Sequence, residues 1–226
     1  MTMQAMKSIK AYYTKRGFNI VELRTYQKFE LDQAALADME IELNASVRND
    51  HVPDIERLNR TTKEQVQYVY TELILVYGCI PGVLVHEIIY AVMFWLNSFP
   101  AEDGISATLI PRAMITVQSV KFTKHCLLEF GSYVHTHEDR EKYMEYRTLE
   151  ALALRPTGNS QGGHYFINLH TGTIINRFTW TALLLPTYIC KLARRIALRS
   201  PIALEFLDGI QHEVPDAEPE DDETDK

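Results

Sequence analysis

The sequence predicts an α+β chain, and three observations carry that expectation. Two long stretches between residues 53 and 98 repeat apolar residues at helical spacing. After His125 the pattern changes to short alternating runs separated by turn residues, the signature of a small antiparallel barrel. Hydrophobic residues make up 46% of the 226 and charged residues 23%, which excludes a disordered or collagen-like chain. No apolar run reaches the roughly 18 residues that a transmembrane helix needs.

Residues 1–17 carry Lys7, Lys10, Lys15 and Arg16 among aromatic residues and form a short basic helical segment. FNIVELRTY (18–26) follows Gly17 and is rich in β-branched and aromatic residues, so it reads as a strand. LDQAALADMEIELN (31–44) reads as a helix, with Leu31, Ala34, Ala35, Met39 and Leu43 on its apolar side. ASVRND is a linker or edge strand. Pro53 then opens a long helix, since proline's missing N–H costs nothing in the first turn. Its apolar face is Ile55, Leu58, Thr62, Val66, Val69 and Leu73, while Glu56, Asn59, Arg60 and Lys63 make a polar face. GVLVHEIIYAVMFWLN (82–97) is apolar nearly all round and is expected to be buried against the previous helix, with Phe94 and Trp95 in the core.

The loop SFPAEDGISATLIPR marks a boundary near residue 112. Beyond it, LLEFGSYVHTHE, LEALALRP, GGHYFINLH and GTIINRFTWTAL supply the strands, joined by the turns TGNSQGG and HTGT. TGNSQGG lacks the GxxxxGK[ST] pattern of a phosphate-binding loop and reads as a hairpin turn. KLARRIALR (191–199) is a short basic helix. The expected divisions are therefore 1–17, 18–112, 113–189, 190–207 and an acidic tail, 208–226. The tail holds nine acids against Lys226, so the rest of the chain has 22 basic and 21 acidic residues and a net charge of +1. A tail of that composition is expected to stay solvated and disordered.

Cys79, Cys126 and Cys190 are far apart and odd in number, which points to a reducing, intracellular compartment, nuclear or cytoplasmic; Cys126 is read as a small core residue. His135 and His137 share one strand face, but no third ligand lies nearby in sequence, so they are read as surface histidines. Trp180 is read as barrel core.

HVPDIERLNRTTKE (51–64) resembles the catalytic helix of copia-type retrotransposon integrases. The likeness continues, in order, through FWLNSFP, GISATLIPR, KHCLLEFGSYVHTHE, ALALRPTGNSQGGHYF and GTIINRFTWTALLLP, covering roughly residues 7 to 199. It implies the rear half of an RNase H-like integrase core, here truncated, followed by a Src-homology-3-like barrel of the Pol polyprotein. In that family an Asp-Asp-Glu set holds two Mg²⁺ or Mn²⁺ ions for DNA strand transfer in DNA integration. The Glu position matches Glu56, but Tyr26 stands where the second Asp belongs, and Lys28 replaces the Glu before Phe29. The first Asp belongs upstream of Phe18, and no Asp lies among the 17 residues before it.

A phenol with a pKa near 10 is a poor Mg²⁺ ligand. The expectation is therefore a degenerate, catalytically silent fragment that needs no cofactor. The resemblance offers Arg57, Asn59, Arg60 and Lys63 as contacts to DNA or RNA backbone. Lys191, Arg194, Arg195 and Arg199 form the densest basic cluster and are the best candidates for sequence-independent backbone binding. Two helices that normally cover a full sheet are expected to leave apolar faces exposed, so the alternative is a module that docks another copy or an intact integrase. No membrane partner is expected.

Overall fold

In the computed structural model, the described residues are 3–26, 32–46, 53–100, 106, 108–137 and 147–199. Lys28, Phe29, the acidic tail and most of the 101–107 loop lie outside them. The chain is a mixture of helix and sheet, as its patterning predicts. No helix among the described residues is long and apolar enough to cross a membrane.

The first layer is small. Helix α1 (Met3–Thr14) precedes β1 (Glu22–Tyr26), α2 (Gln33–Ala37) and β2 (Glu42–Ser46). β1 and β2 pair in parallel, from Glu22 opposite Glu42 to Tyr26 opposite Ser46. Met6, Leu36 and Ile41 form their shared core, with Ile20, Leu23 and Leu43 against it.

The helix expected over 31–44 is thus two elements. It ends after one turn, Glu40 takes a left-handed φ of 55°, and the chain leaves as a strand. The residues EIEL alternate, so Ile41 and Leu43 both point at the core from an extended backbone. The period of 2 prevails over helix propensity because parallel pairing with β1 satisfies the backbone.

The second unit is larger. Helix α3 (Pro53–Tyr77) and helix α4 (Gly82–Leu96) are followed by two short helices, α5 (Pro111–Thr116) and α6 (Phe122–His125). Strands β3 (Tyr133–His137), β4 (Thr148–Pro156), β5 (His164–Asn168), β6 (Ile174–Arg177) and β7 (Trp180–Ala182) make an antiparallel sheet, and α7 (Thr187–Arg199) closes it. The sheet order is β6-β5-β4-β3-β7. Four strands therefore meander, and the fifth returns to pair with the first.

Alternation along these strands serves two cores. Val134, Ala151, Ala153 and Phe166 point one way and are covered by Leu128, Ile175 and Trp180. Ile175 on β6 and Trp180 on β7 come from the two edge strands, so the sheet curls over Phe166. Tyr133, Leu152, Leu154 and Ile167 point the other way, onto Val66, Leu73 and Tyr77 of α3, Leu84, Ile88 and Val92 of α4, and Ile189, Ala193 and Ile196 of α7.

This second core crosses residue 112: helices on one side of that position bury their apolar faces on strands from the other side. The sheet and α7 cover Val66, Leu73, Leu84, Ile88 and Val92 of the two helices, while Leu75 and Val76 of α3 and Ile89 and Tyr90 of α4 stay exposed. Two positions of the predicted α3 face are exposed. Ile55 is 40% exposed and Leu58 48%, because the first turns of α3 overhang the sheet. Phe94 is buried as expected and Trp95 is half-buried. Cys126, expected in the core, is exposed: it caps the four-residue α6, and its neighbour His125 turns inward instead.

Candidate nucleic-acid interface

Glu56, Arg57, Asn59, Arg60 and Lys63 are all exposed on the overhanging start of α3. Glu56 and Arg57 each have interaction partners of their own. Glu56 sits in the first turn, where a carboxylate complements the helix dipole. Tyr26 is the last residue of β1, in register with Ser46 of β2, and the side chains of both lie outside the described ones.

Lys191, Arg194 and Arg195 are exposed on α7, and the Arg199 side chain lies outside the described ones. Arg194 has a structural task. Its Nε donates to the Tyr77 carbonyl at 2.9 Å, one of the orphan carbonyls at the C-terminus of α3. Gly78 follows with φ 73°, and a Cβ there would sit 2.2 Å from the Arg194 guanidinium. The glycine both ends α3 and makes room for its cap. Cys190 donates to the Val76 carbonyl beside it, at 3.7 Å.

α7 is thereby fixed at the far end of α3 from Arg60 and Lys63. Seventeen residues at about 1.5 Å each separate Arg60 from Tyr77, or about 26 Å. The two basic groups predicted from sequence are therefore the two ends of one long helix rather than one cluster.

Two polar arrangements were not legible in the sequence. In the first, Glu150 of β4 accepts hydrogen bonds at Oε1 from Tyr133 (2.9 Å) and from Tyr188 of α7. His135 Nε2 lies 2.8 Å from the Tyr133 hydroxyl, and His170 Nε2 lies 3.2 Å from Glu150 Oε2. Burial opposes ionisation of Glu150, but the hydrogen bonds of Tyr188 and Tyr133, then the nearby His170 and His135, hold its pKa below the usual carboxylate value. Burial first, then hydrogen bonding to Tyr188 and Glu150, pushes the Tyr133 phenol well up. The arrangement locks α7 onto the sheet through Tyr188. Only the i, i+2 spacing of Tyr133 and His135 hinted at it; no sequence spacing links Tyr188 or His170 to Glu150.

The second arrangement surrounds Arg155. Its Nε donates to Glu87 Oε2 at 2.9 Å, and its guanidinium lies 4.3 Å from the Tyr165 ring centroid and 5.1 Å from that of Tyr90. Glu87, the one acid of the apolar α4, is 6% exposed and is buried because Arg155 reaches it. The signal available in sequence was that single carboxylate inside an otherwise apolar helix.

The histidines have separate partners. His137 Nε2 lies 2.9 Å from the Thr181 hydroxyl, so His135 and His137 do not converge. No group of three or more His, Cys, Asp or Glu among the described residues is arranged to hold a metal ion. Buried His125 places Nε2 at 2.8 Å from the Asn159 carbonyl and tethers TGNSQGG to α6. His164 lies beneath Trp180, 4.7 Å between ring centroids, and burial lowers its pKa. The TGNSQGG segment is the hairpin turn expected of it: Asn159 Oδ1 accepts from the Gly162 and Gly163 amides.

No protein-family model matches the chain, and no curated protein matches it.

Proposed function

We propose that the protein is a sequence-independent nucleic-acid backbone binder, derived from a copia-type integrase and without strand-transfer activity. The observation that carries this reading is the placement of Asn59, Arg60 and Lys63 at one end of α3 and Lys191 and Arg195 at the other, all exposed on helices anchored to the sheet. Guanidinium and ammonium groups on rigid helices neutralise phosphates without reading bases.

Element order supports the derivation. A helix, a strand, a helix, a parallel strand and then a proline-led helix is the order this reading expects of the rear of an RNase H-like core, and β6-β5-β4-β3-β7 is the order it expects of a Src-homology-3-like barrel. Silence follows from chemistry: Tyr26 and Ser46 close the strand pair, and Glu56 alone cannot hold two divalent ions in the geometry of an in-line displacement. The test pairs two measurements on the purified chain. Labelled duplexes of unrelated sequence are expected to bind with equal affinity at low salt. A labelled donor end incubated with Mg²⁺ or Mn²⁺ is expected to remain unjoined, and a joined product overturns the assignment.

A second reading has its own observation. An apolar groove of about 590 Å³ lies between the overhang of α3 and the end of α4, lined by Leu58, Val69, Trp95, Leu96, Phe99 and Phe130. Docking of another copy there predicts a dimer by size-exclusion chromatography with light scattering. A monomer at all concentrations removes that reading.

A further inference from the structure

A second cavity, of about 430 Å³, opens between α1, α4, α5 and the end of β4. Its walls are aromatic or apolar at Tyr13, Tyr90, Phe94 and Ile115, and two guanidinium groups, Arg112 and Arg155, face it. The charges do not cancel. Arg155 is neutralised by Glu87 at 2.9 Å. Arg112 has no carboxylate partner, so among the described residues the cavity keeps one uncompensated positive charge.

Arg112 is also held in place. Its guanidinium stacks 4.8 Å from the Phe94 ring centroid, and Nη2 makes a long hydrogen bond of 3.4 Å to the Gly158 carbonyl. Gly158 has φ 73°, and a Cβ there would come within 2.2 Å of Arg112 Nη2 and 2.8 Å of Phe94. The turn is therefore built around this side chain. Five N–H donors make one long bond between them, and Nε is buried without any partner. Burial lowers the Arg112 pKa, against an opposing effect of nearby Tyr12, with the Arg155 charge adding to the lowering. A half-buried guanidinium normally takes an anion in a bidentate fork. Three other polar side chains of the lining are spent on the protein itself: Thr116 donates to the Arg112 carbonyl, Thr157 to the Gly163 carbonyl and Asn97 Nδ2 to the Met93 carbonyl.

We propose that this cavity is a binding site for a small aromatic carboxylate, its single negative charge on Arg112 and its flat body between Tyr90, Phe94 and Ile115. The volume lies in the range of small-molecule sites. One free cation with no further unspent charged donor suits a monoanion, whereas a phosphate monoester asks for more. The site goes beyond backbone binding by α3 and α7 and does not depend on it.

The test uses the full chain and 2-naphthoate as probe, with neutral 2-naphthamide as control, followed by amide shifts and calorimetry. Naphthoate is expected to bind at least about tenfold more tightly than the amide, as loss of one charge-assisted hydrogen-bonded pair predicts. Shifts are expected at Asn97, Thr116 and Thr157. Arg112→Gln is expected to abolish the preference for the acid. Should that variant fail to fold by circular dichroism, Ile115→Trp fills the cavity while keeping the cation and is expected to block binding. Equal affinity for acid and amide, undiminished binding by folded Ile115→Trp, or tighter binding of adenosine 5′-monophosphate than of naphthoate would each overturn the proposal.

Discussion

Removing the basic pair at the start of α3 and the basic pair on α7 separately gives the most informative test of backbone binding. Arg60 and Lys63 sit on the overhang and Lys191 and Arg195 on α7, which is fixed beside Tyr77, about 26 Å along the helix rise from Arg60. Duplex DNA advances about 3.4 Å per base pair, so one duplex must be about 8 base pairs long to meet both ends. With all four cations on phosphates, log K is expected to fall against log salt with a slope of about −3.6, or about 150-fold between 50 and 200 mM. Arg60→Ala with Lys63→Ala is expected to bring the slope to about −1.8 and the loss to about 12-fold. Lys191→Ala with Arg195→Ala is expected to do the same. Fluorescence anisotropy of a labelled 20-base-pair duplex reads both slopes. All four side chains are exposed, so the variants are expected to keep their stability within about 0.5 kcal/mol. A slope unmoved by either pair would refute the placement of phosphates at these ends, and base-dependent affinity would refute the absence of sequence readout.

The remaining predictions concern how the fold holds together. Ile88→Ala on α4 removes a fully buried side chain from the core shared by helices and sheet, and is expected to cost about 2–5 kcal/mol. Helical circular dichroism and, in a Trp95→Phe background, the fluorescence of Trp180 on the sheet are expected to lose stability together; separate transitions would show that residue 112 divides two independent units. Gly131→Ala is expected to destabilise by more than the roughly 1–2 kcal/mol of a left-handed alanine, because φ is 86° and the added Cβ would lie 2.4 Å from Leu73 Cδ2; a urea midpoint equal to that of the unmodified chain would contradict this. His164 has its pKa lowered from 6.5 by burial, so folded and unfolded chains are both neutral above that value. Below it the unfolded chain binds the proton first, and stability is lost as pH falls toward the folded pKa, by at most about 1.4 kcal/mol per pH unit. His164→Gln is expected to flatten urea midpoints between pH 7 and 5, and an unchanged slope would assign the effect elsewhere.

Periodicity made the long elements legible. α4 is apolar nearly all round and buries most of its length, with Ile89 and Tyr90 left exposed, and the alternation of LEALALRP sends Leu152 and Leu154 to one core and Ala151 and Ala153 to the other. What it could not supply was which surface each face meets. The segments flanking residue 112 look separate because a Pro- and Gly-punctuated loop joins them, yet Ile88 and Leu152 share a core. Residues 31–44 misled for a related reason: Ala34, Ala35 and Met39 fit a helix, and only pairing with β1 reveals that Glu42–Ser46 is a strand. The basic side chains were legible by composition, but Arg194 was indistinguishable from Arg195 until the Tyr77 carbonyl appeared beside it.

The arrangement of the core also bears on why the chain holds its helices at all. A two-stranded parallel pair offers too small a surface to cover α3 and α4, and its own core is limited to Met6, Leu36, Ile41 and their neighbours. The curled sheet offers a second apolar face that such a small sheet would otherwise leave in water, at Tyr133, Leu152, Leu154 and Ile167. Each surface removes the other from solvent, and burial of apolar area is the dominant favourable contribution to folding. Tyr77 ties the two together, its hydroxyl donating to the Gly131 carbonyl at 2.6 Å from the last turn of α3. The basic ends of α3 thus keep a fixed spacing because the helix between them is held along the sheet, so any backbone contact made at one end constrains where the other can fall.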